Sequence, residues 1–259
     1  MKSLLVILII NLFSGVCFSA TEQEAGVQIM QEAQHRSSGF GDSSAEARMI
    51  LTTKEGDEAE RLLKIKTLEV QDDGNKLLIM FETPLDVKGT SFLSFTHPLT
   101  PDEQWLYLPD VKRVKRVSSS NKSGAFVGSE LAYEDLGSFE IQKYDYKYLR
   151  EDVIQQKACY LVELYPRYEG SGYTKLISWI EKDRYIPLNI QYFDRKKNLL
   201  KTQEYRNYKK YLGRYWIADE IFINNHQNGN STKILYQNTN LRTNLTARQF
   251  DQNAIQHNK

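Results

Sequence analysis

The chain has 259 residues, with 34 lysines and arginines against 33 aspartates and glutamates, for a formal net charge of +1. So even a balance excludes a general binder of nucleic acid or of acidic surfaces, which needs a basic excess. The four histidines are scattered, the two cysteines (Cys17 and Cys159) are far apart, and there is no phosphate-cradling glycine loop or nucleophile elbow, so neither a metal nor a cofactor is expected.

In chain order, "MKSLLVILIINLFSGVCFSA" has Lys2, an apolar run from Leu4 to Phe13, and then small residues. This is the layout of a secretory signal peptide, and the run is too short to cross a bilayer comfortably. Cleavage after Ser19 puts the small residues Cys17 and Ser19 at the inspected positions, so residues 1–19 are read as a removed leader. Val16 before Cys17 departs from a lipoprotein signal. The mature chain would then hold Cys159 alone, with no intramolecular disulfide. Losing Lys2 and no acid makes it electrically neutral, and a soluble protein outside the cytoplasm is expected.

Val27, Met30 and Ala33 recur at helical spacing and predict a short amphipathic helix over 22–36. From Ala45 the period becomes two. Segments such as "AEARMILTTK", "NKLLIMFET", "ACYLVELYP" and "STKILYQNT" have strand length and are separated by turn formers such as "KEGDE" and "DDGN". About eleven such strands are too many for a flat sheet, so residues 20–245 are read as mainly β, one large domain or two small ones, with a large antiparallel sheet that curls into a barrel or splits into two packed layers. Residues 246–259 read as a polar tail with Phe250 as its anchor.

Between the halves, "SSSNKSGAFVGSELAYEDLGS" lacks a strand pattern and is read as a loop or lid over an opening. Glu134 and Asp135 are adjacent, poor geometry for a shared acid–base pair on a strand, and a loop-anchoring role is expected instead. Cys159, between Ala158 and Tyr160 on a predicted strand, reads as a small buried apolar residue. No side chain is nominated for catalysis, and a non-enzymatic protein is expected.

"QWLYLPDVKRVKRVSSS" (104–120) combines two textures. In "WLYLP", Trp105 and Tyr107 share one face and Leu106 and Leu108 the other, so the strand is covered on both sides and placed between core and cavity. "VKRVKRV" carries charge on both faces, as a solvated edge strand does. It is also a candidate electrostatic site for an anionic headgroup or a partner.

The segments "FETPLDVKGTSFL" (81–93), "DEQWLYLPDVKRVKRVSSSNKSGAFVGSELAYEDL" (102–136) and "GYTKLISWIEKDRYIPLNIQYFD" (172–194) resemble the outer membrane lipoprotein-sorting proteins. These are the LolA-like carriers, and the likeness is to the periplasmic branch associated with transporters of the resistance-nodulation-division and MMPL type. The resemblance implies a half-open β-barrel with helices and a lid over a hydrophobic cavity for lipid or lipoprotein acyl chains. It further implies transient membrane contact, an inner-membrane transporter as partner, no nucleic acid and a monomeric state.

On this reading the candidate cavity residues are Met80, Phe92, Trp105, Tyr107, Phe126 and Tyr133. Arg113, Arg116, Glu134 and Asp135 are candidates for the lid, a headgroup or a partner. Gly89 and Gly128 are expected to hold backbone angles that other residues resist. Arg48, on the first strand, is considered for the arginine that holds the lid of the lipoprotein chaperone. The alternative reading is an adaptor subunit of the transporter, its barrel filled by its own side chains.

Overall fold

One α-helix, thirteen strands and six short 3-10 helices make up the computed structural model, which describes residues 20–252 and 255. The expected leader lies outside the described residues. Helix α1 spans Ala20–Ser37, close to the predicted 22–36. The first strands are β1 (Asp42–Thr52), β2 (Glu58–Leu68), β3 (Lys76–Thr83), β4 (Ser91–Phe95), β5 (Glu103–Leu108) and β6 (Arg113–Arg116). The second series is β7 (Tyr144–Ile154), β8 (Lys157–Pro166), β9 (Tyr173–Glu181), β10 (Pro187–Asp194), β11 (Leu199–Tyr211), β12 (Tyr215–Asn225) and β13 (Ser231–Leu241). The two strands beyond the expected eleven are β5 and β6, which come from "WLYLP" and the basic ladder.

All thirteen strands form one antiparallel sheet in the order β6-β5-β4-β3-β2-β1-β13-β12-β11-β10-β9-β8-β7. One meander runs outward from β1 to β6. The segment 117–143 then crosses to the opposite edge, and a second meander returns from β7 to β13, which pairs with β1. Strands β6 and β7 remain the two free edges, so the curled sheet is not closed. Hairpin chemistry sets the local path: Gln155 and Gln156, both at positive φ (51° and 62°), make the two-residue β7–β8 turn whose twist suits the flanking strands.

Alternation assigns side chains to two faces. On the inner face Ala47, Met49, Leu63, Ile79, Phe81 and Phe92 are buried beneath Phe126 and Leu131 of the crossing segment. Further along, Ile29 and Met30 of α1 pack on Tyr146, Val162, Leu164, Leu176 and Ile180. The outer face of β3–β5 is covered as well, because Leu78, Met80, Leu93 and Trp105 lie against Phe250 and Ile255 of the tail. Cys159 is fully buried beside Ile186 and Leu188, and burial pushes its thiol pKa up.

Candidate functional site

Two plugs occupy the inner face, and the space between them is the site. Helix α1 fills it over β7–β10, and the crossing segment fills it over β1–β4. Where the lining side chains are small (Ala33, Ala45, Gly137, Ser178 and Ala218) neither plug closes the gap, and a cavity of about 1170 Å³ remains. That exceeds the roughly 300–1,000 Å³ common for sites of drug-sized ligands.

The cavity wall is aliphatic and tyrosine-rich. Ile65, Leu77, Leu164, Leu176, Ile180, Ile190 and Ile221 alternate with Tyr144, Tyr173, Tyr192, Tyr205 and Tyr236. Several of these hydroxyls are spent within the protein. Tyr192 donates to Gln203 Oε1 at 3.1 Å, Gln203 Nε2 donates to the Tyr205 hydroxyl at 2.7 Å, and the Tyr173 hydroxyl donates to Asp135 Oδ1 at 2.8 Å. Burial raises the pKa of all five, that of Tyr236 to about 12, so the tyrosine part of the wall is uncharged at neutral pH. It offers ring faces to an apolar occupant.

The crossing segment is tied down at the inner end of the cavity. Asp135 Oδ2 lies 2.5 Å from Lys201 Nζ on β11, the two side chains being only 4% and 3% exposed. The same oxygen accepts the Ala132 N–H at 2.6 Å. Lys201 also donates to the Glu130 carbonyl at 2.9 Å and lies over the Tyr173 and Tyr192 rings. Glu134 accepts from the Gly172 N–H (2.8 Å), Ser171 Oγ (2.9 Å) and the Tyr168 hydroxyl (3.0 Å), and burial raises its pKa. At the far end Arg61 Nη1 donates to the Val127 carbonyl. Arg61 reaches the segment because it faces inward on β2, opposite Met49. Arg48 faces outward and pairs with Glu60 at 2.6 Å.

The sequence candidates separate into three places. Phe92, Phe126 and Tyr133 come together as an aromatic cluster, with ring centroids 5.2–5.7 Å apart, in the packed core beside the cavity. Met80, Trp105 and Tyr107 are on the outer face, beneath the tail. None of the six is among the residues that line this cavity. The physical reason is register: Met80 stands opposite Ser91 and Trp105 opposite Leu93, so both point away from the face that carries Phe92.

Glu134 and Asp135 do reach the cavity wall. Arg113 and Arg116 are exposed on edge strand β6, where Arg116 pairs with Glu103 at 3.1 Å. Gly89 and Gly128 have φ of 84° and 76°, in the region that favours glycine. Sequence reasoning missed the β9–β13 tyrosines and Lys201. The spacing of tyrosines was visible, but which face they shared with the cavity was not. Among the described residues no three His, Cys, Asp or Glu side chains converge as a metal site.

A family model described only as that of an uncharacterized protein matches residues 73–257. No curated protein matches the chain. Among solved structures, a domain assigned to the outer membrane lipoprotein-sorting proteins of Vibrio parahaemolyticus is 44% identical, with a TM-score of 0.89, over 90% of this chain and 99% of that one. A DUF1329 family protein from Desulfovibrio piger is 26% identical over 90% of this chain and 99% of its own, with a TM-score of 0.86. A LolA superfamily protein from Nitrosomonas europaea shares the fold at 18% identity, with a TM-score of 0.70, over 87% of this chain and 97% of its own.

Proposed function

We propose that this chain, which belongs to the outer membrane lipoprotein-sorting protein family, is a non-catalytic periplasmic carrier. It would shield lipid or lipoprotein acyl chains in the cavity beneath α1 and move them between the inner and outer membranes. The observation that carries this reading is the cavity of about 1170 Å³, walled by aliphatic side chains and neutral tyrosines. An apolar chain entering it leaves water while wall hydroxyls such as those of Tyr173 and Tyr192 keep their partners within the protein. Among the described residues no helix is long and apolar enough to cross a membrane. The leader-like first residues support export from the cytoplasm.

The test is native mass spectrometry with lipid extraction on the protein purified from the periplasm. Bound lipid is expected in the parent protein. It should be lost on filling the cavity with Ala218→Trp or Ala45→Trp in variants whose circular dichroism is unchanged. Undiminished lipid in such folded variants counts against the carrier.

A second reading draws on β6, which ends the sheet with Arg113, Lys115 and Arg116 exposed. As a transporter adaptor the protein would dock this edge on an acidic face. Replacing Arg113 and Arg116 by Ala would then weaken docking and its salt sensitivity.

A further inference from the structure

The mouth of the cavity differs chemically from its wall. It is framed by the C-terminal turn of α1, the β9–β10 turn and the β11–β12 turn, which bring Arg36, Arg184, Lys210 and Arg214 to one rim. The acids there are Glu32, which pairs with Arg36 at 2.6 Å, Glu181, which pairs with Arg184, and exposed Asp183. Lys210 and Arg214 have no carboxylate partner among the described residues. Arg214 instead donates to the His35 carbonyl at 3.3 Å and lies over the Tyr215 ring.

Lys210 and Arg184 both sit over the Trp216 ring, 5.7 and 4.8 Å from its centroid, which keeps two positive charges on one indole. The fold arranges this specifically. Asn207 has a left-handed φ of 56°, and past it Tyr208 and Lys210 line the cavity, while Lys209 pairs with Asp219.

A second feature lies deeper. Ser178 of β9 is 1% exposed, lines the cavity, and its hydroxyl has no hydrogen-bond partner in the protein. A buried hydroxyl left unpaired is destabilising, so an occupant that supplies an acceptor is favoured. Ser178 is three residues, or about 10 Å, inside the turn that carries Arg184. Thr239 also lines the cavity with an unpaired hydroxyl, so the cavity presents cations at its mouth, then unpaired hydroxyls, then hydrocarbon and tyrosine.

We infer that the mouth is a phosphate-recognising headgroup site for a diacyl glycerophospholipid, with Lys210, Arg214 and Arg184 facing the phosphate and Ser178 donating to an acyl ester carbonyl. This rests on the carrier reading and narrows its cargo, because a lipoprotein's acylated cysteine carries no phosphate.

The delipidated protein is incubated with vesicles holding equal dioleoyl phosphatidylglycerol and dioleoylglycerol, and uptake is read by native mass spectrometry. The phosphatidylglycerol should be preferred at least tenfold, and the preference should shrink as salt rises. Lys210→Ala with Arg214→Ala, both on exposed positions, should reduce the ratio of the two lipids about tenfold, whereas Lys210→Arg should keep it. Ser178→Ala should lower uptake of both lipids and leave their ratio as it was.

Equal uptake of the two lipids by the parent protein overturns the headgroup site and leaves the carrier standing. Uptake of neither overturns both, and preference for a triacylated lipopeptide over phosphatidylglycerol overturns the phosphate assignment alone. Glycerol 3-phosphate binding as tightly as the lipid, by calorimetry, would make the rim a site for free phosphate and also overturn the inference.

Discussion

Val127 has a φ of 46°, in the left-handed region that a β-branched side chain rarely enters. Its carbonyl accepts from Arg61, and its neighbour Phe126 is fully buried among Phe81, Phe92 and Tyr133. Such an angle persists only where the surroundings over-determine it, and here they hold the crossing segment to β2. Arg61→Ala should therefore speed amide exchange in residues 126–131 with little change in β11, as read by hydrogen-exchange mass spectrometry.

The second fastening is the buried pair of Asp135 and Lys201. Asp135→Asn leaves Lys201 charged and unpaired, which should cost about 3–5 kcal/mol in a denaturant titration. Removing both charges with Asp135→Asn and Lys201→Met should cost less than the sum of the two single changes.

Glu134 adds a pH dependence. Its carboxyl pKa is raised above the ordinary 4.5 by burial, so the folded protein keeps a proton that the unfolded chain has released. This group's favourable contribution is complete below 4.5 and is lost as pH rises through the raised value. Urea midpoints of the parent protein relative to Glu134→Gln should accordingly fall as pH rises from about 4, then level off. The adjacency of Glu134 and Asp135, and their anchoring role, could be read from the sequence. Their partners could not, because Lys201 and Gly172 come from other strands and only the folded sheet brings them near.

At the scale of elements, period two was legible and register was not. The strand "EQWLYL" reads correctly as covered on both faces. What covers Trp105 is the tail, through Phe250 and Ile255, and Ile255 is an anchor that the polar composition of 246–259 concealed. Phe250→Ala should cost about 3–5 kcal/mol of stability. Lipid uptake should not change, since the tail lies on the face away from the cavity.

Helix α1 was placed within two residues from its spacing alone, yet the same pattern gives no reason for Gly26. The structure supplies one, since a Cβ there would lie 2.9 Å from the backbone nitrogen of Tyr148 and 3.1 Å from Cβ of Tyr146. Gly26→Ala should lower the melting temperature, although alanine favours a helix interior by about 1 kcal/mol over glycine.

Across the whole molecule, strands early and late in the chain meet at the centre of the sheet. β1 pairs with β13 through contacts such as Ala47 with Tyr236, while the free edges β6 and β7 are consecutive in sequence. The pairing that completes the sheet is thus among its least local, which favours slow folding. In native-state hydrogen exchange the amides of β1 and β13 should be the last to open and those of β6 among the first. The hairpin order within each half followed from turn signals between strands. The joining of the halves through β1 and β13 carries no local signal, because hydrogen bonds between distant strands leave no mark in a short window of sequence.

The segment that plugs the inner face is also the covalent link between the two rims of the open sheet. It works as a drawstring: the rims can part only as far as its slack allows, and its knots are Arg61 with Val127, Lys201 with Asp135, and Glu134 with the 168–172 turn. On the proposed carrier reading, loading a bulky cargo would require loosening this cord. One peptide cut between the exposed residues Ser120 and Asn121 would leave the halves joined through β1 and β13 but free to gape.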